Sequence, residues 1–509
     1  MFKMLINNYL SLLFFVTNKT TLQNYQRAIF LKKLTINYSS QKLVFCLCPF
    51  KRESAKGTFS IFTYFWYESI QTSAFMLQKI VAHFHKTASF SNLYFILFTI
   101  LLIIEIKIFT YWRIELDPKN GVFTFLGVQL LIGILPFFIL KHRKTIESTK
   151  PSLNIYAVIL LSALAVWGIV YCFDLYMVLC KKVAIKPSNG DIIPQIQRFN
   201  KEFLAGRFPY TPFDDFGYRM SPTYLPAQWL PYLPSTLLKF DPRLITFGVF
   251  GCAYFVYLII VIKQNIPFFK ALILLGFPIF FVDSIAEFDP NVIAVTVEIL
   301  IMSYYLLLSM SLTTHARSFQ ILMLVLCLMS RFSLVFWLPL YLFMLWTKEG
   351  FSPTLRFSLW IFAGAALLYG PFLAIDPHIF ANSQTYYDTA TASAWTYTPD
   401  SDHLNNGFSF VLFFHKTGGN IPEKIAAMKK LMLTITPLVS IVLGIIWWRF
   451  KDKLDSVLFS LCALKISLAV FYALIQFPFT YLYVTPIILS LAIFYRFTVI
   501  QKNNSLIRS

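Results

Sequence analysis

Charged residues are scarce in this sequence, acidic ones most of all: 24 Asp and Glu stand against 44 Lys and Arg in 509 residues, and together they make up 13% of the chain. That excludes an ordinary water-soluble protein, because so few charges cannot cover a chain that is 57% hydrophobic with a mean hydropathy of +0.64. Cysteine is thin as well. The seven are scattered, with only Cys46 and Cys48 close together, so neither a zinc-ligand spacing nor a disulfide framework follows. A formal net charge of +20 would suit nucleic acid if it lay on one soluble face, but the basic residues sit at the ends of apolar segments. They read as topology signals and as contacts to anionic membrane lipids, so nucleic acid is not an expected partner.

Apolar length is what the chain has in abundance. Stretches of about twenty residues recur, each long enough to cross roughly 30 Å of hydrocarbon, where helices satisfy their own backbone. The expected fold is all-α: a polytopic transmembrane helix bundle of about eleven spans, with extracytoplasmic loops bearing short interfacial helices. Residues 1–75 do not share this pattern. Runs such as 9–16 are too short to span and no small-residue cleavage site follows, so the segment reads as an atypical extension, disordered or upstream of a start at Met76. A cytoplasmic arm is the alternative. The transmembrane domain is then 76–509.

Spans are expected at 92–112, 121–140, 154–173, 244–262, 267–283, 290–312, 356–374, 430–448, 455–475 and 480–497. The basic runs KHRK at 141–144 and RFKDK at 449–453 belong in the cytoplasm. Two long loops, 174–242 and 375–429, and the acidic turn 283–289 therefore share the opposite face. The stretch 321–346 is interrupted by Ser330, Arg331, Phe332 and Ser333. With Arg317 before it and Lys348 and Arg356 after it, both ends stay on the basic side, so it should enter and turn back with Arg331 near the turn. A single straight span is the alternative. Lys429 and Lys430 fall on the outer side and fit the charge rule less well.

The chain is organised around residues 187–226, PSNGDIIPQIQRFNKEFLAGRFPYTPFDDFGYRMSPTYLP, a polar, aromatic and acidic loop between two apolar segments. Ile192, Ile196, Phe199 and Phe203 make one stripe of a short amphipathic helix, with Gln195, Arg198, Lys201 and Glu202 on its other side. Asp191 stands at the entrance of that helix. On local grounds it is either a plain N-cap, its carboxylate accepting backbone amides, or a group free for chemistry.

A span, then GD opening a short helix, then LAGRFPY, an acidic aromatic stretch, and SPTYLPAQWLPYLP entering the next span together resemble the GT-C superfamily of membrane glycosyltransferases. The likeness runs from about Asn154 to Arg496 and is sharpest over 190–234, with later echoes in FDPNVI, LMSRFSLVFWLP and YLYVTPIILSL. It is similar in particular to bacterial mannosyltransferase-like members that use polyprenyl-phosphate sugars. The resemblance implies a polyprenyl-phosphate sugar donor, a glycan or glycolipid acceptor, and a site on the extracytoplasmic face of the plasma (inner) membrane. It implies that Asp191 is the essential acid beside the acceptor hydroxyl. A carboxylate can take that proton as the oxygen attacks, and a cation beside the lipid phosphate can stabilise the departing charge. Arg331 is the first candidate for that cation by placement, followed by Arg207 and Arg219, which could equally be surface contacts.

Glu287 and Asp289 could bind sugar hydroxyls or a divalent cation, although no spacing matches a metal box and solvated caps are the simpler reading. His403 could share the proton work or be ordinary surface. Tyr210, Tyr218, Tyr224 and Trp229 suit sugar stacking and equally suit an interfacial aromatic belt. Relatives often pair two adjacent acids in this loop, whereas here Ile192 follows Asp191 and the adjacent pair, Asp214 and Asp215, lies deeper. This makes dependence on a metal less expected. Two other functions compete. A secondary transporter would place ionisable groups in mid-membrane, as Glu298 and Lys465 are, but no repeat relates the two halves. A polysaccharide polymerase or ligase would rely on arginines and a histidine in a late loop. The topology is directly testable: cysteines placed at Asn189 and Asn405 should both react with an impermeant reagent from the same, outer side, and labelling of only one breaks the topology.

Overall fold

A computed structural model describes residues 90–112, 118–141, 153–264, 266–314, 316–397, 404 and 407–503. The 1–75 segment and His403 lie outside the described residues. Among them there is no strand, only an isolated antiparallel bridge between Phe213 and Met220. The protein is an all-α polytopic bundle, and nine of its described helices are long and apolar enough to cross a membrane.

In chain order the helices are α1 (Phe90–Lys107, running on as a π-helical turn Ile108–Trp112), α2 (Pro118–Lys141) and α3 (Ile155–Lys182). The first loop carries α4 (Ile192–Leu204), α5 (Pro226–Trp229) and α6 (Leu233–Leu238). Next come α7 (Arg243–Lys263), α8 (Phe268–Phe288), α9 (Pro290–Ala294) and α10 (Glu298–Thr314). These are followed by α11 (Arg317–Leu328), α12 (Leu338–Glu349) and α13 (Phe351–Ile375). The second loop holds α14 (Ile379–Tyr397) and α15 (Val411–His415), and α16 (Ile421–Phe450), α17 (Ser456–Ala473) and α18 (Val484–Asn503) complete the bundle.

Several boundaries differ from those the apolar lengths suggest. The third span continues to Lys182, about two turns beyond the expected end, because Tyr176 and Leu179 still pack inward. The acidic turn 283–289 is mostly helix: Asp283 and Glu287 belong to α8, and only Asp289 lies beyond its end. The span expected at 290–312 is broken at 295–297, where the Thr296 hydroxyl donates to the Val292 carbonyl and accepts the Glu298 amide (3.2 Å). That local bonding ends α9 and begins α10, since a threonine hydroxyl can replace a missing backbone partner.

The interrupted stretch does enter and turn back. Arg317 at the start of α11 forms an ion pair with Glu349 at the end of α12, so the two ends lie side by side. Between the arms, a 3₁₀ turn, Phe332–Phe336, makes the tip and carries Arg331 at its entrance. The tip is tied to α17 by the Ser333 and Tyr472 hydroxyls (3.2 Å) and by the Trp337 indole N–H donating to the Ser460 carbonyl (3.2 Å). Non-helical backbone is tolerated at such depth only when protein covers it, and these bonds are that cover.

Both long loops reach the hairpin tip from the same side. The Ala227 amide of α5 donates to the Met329 carbonyl at the tip (3.0 Å), and the Ser383 hydroxyl of α14 donates to the Pro222 carbonyl of the first loop (2.9 Å). Lys429 and Lys430, awkward by charge alone, stand early in α16, where Lys429 pairs with Asp388 of α14 at 2.9 Å. A local carboxylate thus accounts for a lysine on that side.

A buried polar knot fixes the other half of the bundle. Lys465 of α17 donates to Glu105 of α1 (2.8 Å), to the Gln129 side chain of α2 and to the Pro486 carbonyl of α18 (3.0 Å). All three side chains are fully enclosed. An ammonium has three protons, and all three are used. Lys465→Leu would strand the Glu105 carboxylate and should cost about 3–5 kcal/mol, the usual penalty for breaking a buried pair. Pairing it with Glu105→Leu should recover most of that loss, as thermal unfolding in detergent would read.

Candidate functional site

The first loop is built on α4. Ile192, Ile196 and Phe199 are buried as the stripe requires, whereas Phe203 is half exposed and rests edge-on against Trp229. Gln195, expected on the polar face, is buried instead, its amide against the Met220 sulfur. Met220 closes the bridge with Phe213 through a pair of backbone bonds (2.8 and 3.0 Å), and Gly217 at φ 83° lets the hairpin between them turn. Arg198 of α4 clips the hairpin down by pairing with Asp215 while its guanidinium covers the Phe213 ring at 4.6 Å. Tyr218 is thereby carried back to the start of α4.

There its hydroxyl donates to Asp191 Oδ2 at 2.9 Å. Asp191 occupies the cap position of α4 but its side chain makes no capping bond, so the plain N-cap reading is overturned. Burial, then the Asp191 charge and the hydrogen bond to it, push the Tyr218 phenol above its ordinary value, which keeps the hydroxyl a donor. Tyr386 of α14 is raised by burial and by the same carboxylate. Gly190, just before, is pressed on the chain break 295–297: a Cβ there would lie 2.8 Å from Val295 Cβ and Cγ2.

Three residues beyond Val295, Glu298 opens α10 and forms an ion pair with Arg331 at the hairpin tip. Glu298 is buried and Arg331 nearly so, yet Glu298 Oε2 and Arg331 Nε have no hydrogen-bond partner among the described residues. Tyr224 and Tyr481 lie within electrostatic reach of both Asp191 and the Arg331–Glu298 pair. The neighbouring tyrosines of α14 divide the two charges, Tyr386 lying near Asp191 and Tyr387 near Arg331. Asp191, Tyr218, Tyr224, Tyr386, Tyr387, Tyr481, Arg331 and Glu298 form one polar, tyrosine-walled end.

Other candidates fall elsewhere. Arg207 is exposed and forks onto Glu202, whose carboxyl it holds below the usual range, and Arg219 is exposed. Tyr210 is no sugar platform: it is buried, its hydroxyl donating to the Tyr224 carbonyl (3.0 Å) and accepting the Trp229 indole N–H (3.2 Å). Trp229 is fully enclosed beside it. Glu287 is exposed on the last turn of α8, and Asp289 accepts the Thr480 hydroxyl at 3.1 Å. Asp283 accepts the Tyr171 hydroxyl, so the three acids are spread over separate partners. Among the described residues no three His, Cys, Asp or Glu side chains converge as a metal ion would require.

Sequence reasoning treated Glu298 only as a stray mid-membrane charge and missed the second-loop tyrosines Tyr386 and Tyr387. It also missed Arg243, which accounts for the loop's base. Its guanidinium donates to the Val183 (2.7 Å), Ala294 (3.2 Å) and Cys180 (2.8 Å) carbonyls and pairs with Asp241. The DPR sequence opening α7 was the available signal, because an arginine so near a span must find partners. Compared with family models, curated proteins and solved structures, the chain finds no match.

The contact between Gly190 and Val295 gives a stability test. Gly190→Ala should cost about 1–3 kcal/mol by overpacking, because the obstructing Val295 atoms are close to the backbone and cannot swing away. Adding Val295→Gly, which removes both obstructing atoms, should raise the unfolding temperature above that of the single variant, whereas Val295→Ala, which keeps the Cβ, should recover less.

Proposed function

We propose that this protein is a membrane glycosyltransferase of GT-C type, moving a hexose, mannose-like, from a polyprenyl-phosphate donor to a glycan or glycolipid acceptor. The observation that carries the reading is that Asp191 stands at a helix entrance without capping it and is held by Tyr218 in the same tyrosine-walled end as Arg331. In the proposed reaction the acceptor oxygen attacks the anomeric carbon and Asp191 takes its proton. The bond from that carbon to the phosphate oxygen breaks, and the lipid phosphate leaves with the electron pair. Arg331 would be the cation that meets that phosphate, because among the described residues only its Nη2 is bonded, to Glu298, and the other guanidinium nitrogens make no hydrogen bond. Tyr224 and the α14 tyrosines supply hydroxyls and ring faces for a sugar.

On this reading the site faces the extracytoplasmic side of the plasma membrane, the side opposite the basic runs. Arg207 and Arg219 take no part, and Glu287 and Asp289 are left as candidate acceptor contacts. A transporter would need mid-membrane charges free to change partner. Lys465 has none to spare, and Glu298, which keeps one free oxygen, lies in the Arg331 end with Asp191 rather than apart from it, which supports the transferase.

Asp191→Asn tests the reading. It removes the base and should lower sugar transfer from a polyprenyl-phosphate hexose by roughly 10²–10⁴-fold, the usual worth of general base catalysis. Because the carboxylate makes no capping bond, both Asp191→Asn and Asp191→Ala should unfold close to the parent temperature. Full transfer by the Asn variant would take Asp191 out of the chemistry.

A further inference from the structure

A groove of about 1000 Å³ runs between α12 and α16, on the outside of the bundle and away from Asp191. On α16 it is lined by Pro437, Ile441, Gly444, Trp448 and Arg449, a stripe at helical spacing, and Phe336 and Phe343 close it from the hairpin side. Its depth follows from that spacing. Twelve residues separate Pro437 from Arg449, or about 18 Å along a helix, close to one leaflet's half of a roughly 30 Å hydrocarbon core. The apolar part therefore starts near mid-membrane, where the Ser440 hydroxyl donates to the Phe336 carbonyl at the hairpin tip (2.8 Å). It ends at the level where Arg449 stands exposed beside Trp448.

The charge at that end is unspent. Glu349 is taken by Arg317 and Asp455 by Arg496, and among the described residues Arg449 pairs with no carboxylate. Gly444 is buried and forms the floor of the groove, where a Cβ would lie 3.5 Å from Leu340 Cδ1 and 4.0 Å from Phe343 Cδ1 on the facing wall. The Trp448 ring stacks on Phe343 at 5.8 Å and so shapes the wall next to the cation. An apolar channel one leaflet deep with one cation at its mouth is the complement of a single amphiphile.

We propose that this groove binds an anionic glycerophospholipid, one acyl chain lying over the Gly444 floor along Ile441 and Ile445 and the phosphate resting on Arg449. The lipid comes from the leaflet opposite Asp191, because α16 runs from the second loop at Ile421 to the Arg317–Glu349 end of the hairpin. It is thus not the sugar donor, and the proposal stands whether or not the protein transfers sugars. Its physical effect is to brace the hairpin's second arm against α16.

The full chain, delipidated in neutral detergent, is the material for the test. Phosphatidylglycerol should raise its unfolding temperature by a few degrees at saturation, as binding to the folded state alone requires, with phosphatidylcholine doing less and inorganic phosphate nothing. Arg449→Gln should abolish the preference for phosphatidylglycerol over phosphatidylcholine, lowering apparent affinity for the former by about tenfold, the scale of one lost charge-assisted bond. Gly444→Leu, with Arg449 intact, should weaken the effect of both lipids by filling the channel. Arg449 is exposed at a helix end, so its variant folds even if the Gly444 variant does not. Equal stabilisation by the two lipids, a preference that survives Arg449→Gln, or inorganic phosphate alone matching phosphatidylglycerol would each overturn the site. A dimer that persists after delipidation and shields Ile445→Cys from a thiol reagent would assign the groove to a second copy instead.

Discussion

A guanidinium cannot lose its charge inside a protein, and Arg331 has been carried by a re-entrant hairpin into a largely enclosed position. Everything about its neighbourhood answers that constraint. The carboxylate that meets it, Glu298, is delivered by an interruption of the preceding span, and the interruption exists because Thr296 bonds the backbone on both sides of the gap. The tip is then anchored on α17 and on the first loop, so the charge cannot drift toward a more favourable solvent. Isolated ions in such a place would cost several kcal/mol each, so pair, chain break and hairpin form one arrangement.

The first loop is fitted to the same break. Gly190 rests on Val295, and Arg243 gathers the end of α3, the end of α9 and its own Asp241 into one clasp. Asp191 is therefore positioned by the element that positions Glu298. The α4 hairpin adds the Tyr218 bond from the other side, and α14 brings Tyr386 and Tyr387 from more than 160 residues later in the sequence. A loop held in this way presents its carboxylate without borrowing it for helix capping.

Much of this was legible in residue patterns and some was not. Apolar length gave the polytopic class, and the charges flanking 321–346 gave the hairpin, because neither depends on tertiary detail. The stripe of α4 was readable from its period, but Gln195 was not, since its burial is set by Met220 twenty-five residues away. The span end at 173 was misplaced by about nine residues, for polarity along α3 falls gradually while packing continues. Tyr210 and Trp229 look identical to sugar platforms in sequence; only their enclosure and mutual hydrogen bonds distinguish them. The tyrosine wall was hidden for a similar reason, because its members come from two loops and a span.

Two buried ion pairs in the same bundle differ in a way that separates structure from chemistry. At Lys465 every ammonium proton has an acceptor and four helices converge on it, so the cation has no donor left, although Glu105 Oε2 has no partner among the described residues. At Arg331 the ion pair is made through Nη2 alone, and among the described residues the other guanidinium nitrogens make no hydrogen bond, beside tyrosines that also sense Asp191. A pair that is strong enough to hold the charge in place, yet incomplete, is suited to receive a further anion. That unused donor capacity is the ground on which the proposed role of Arg331 rests, whereas the ammonium of Lys465 has none.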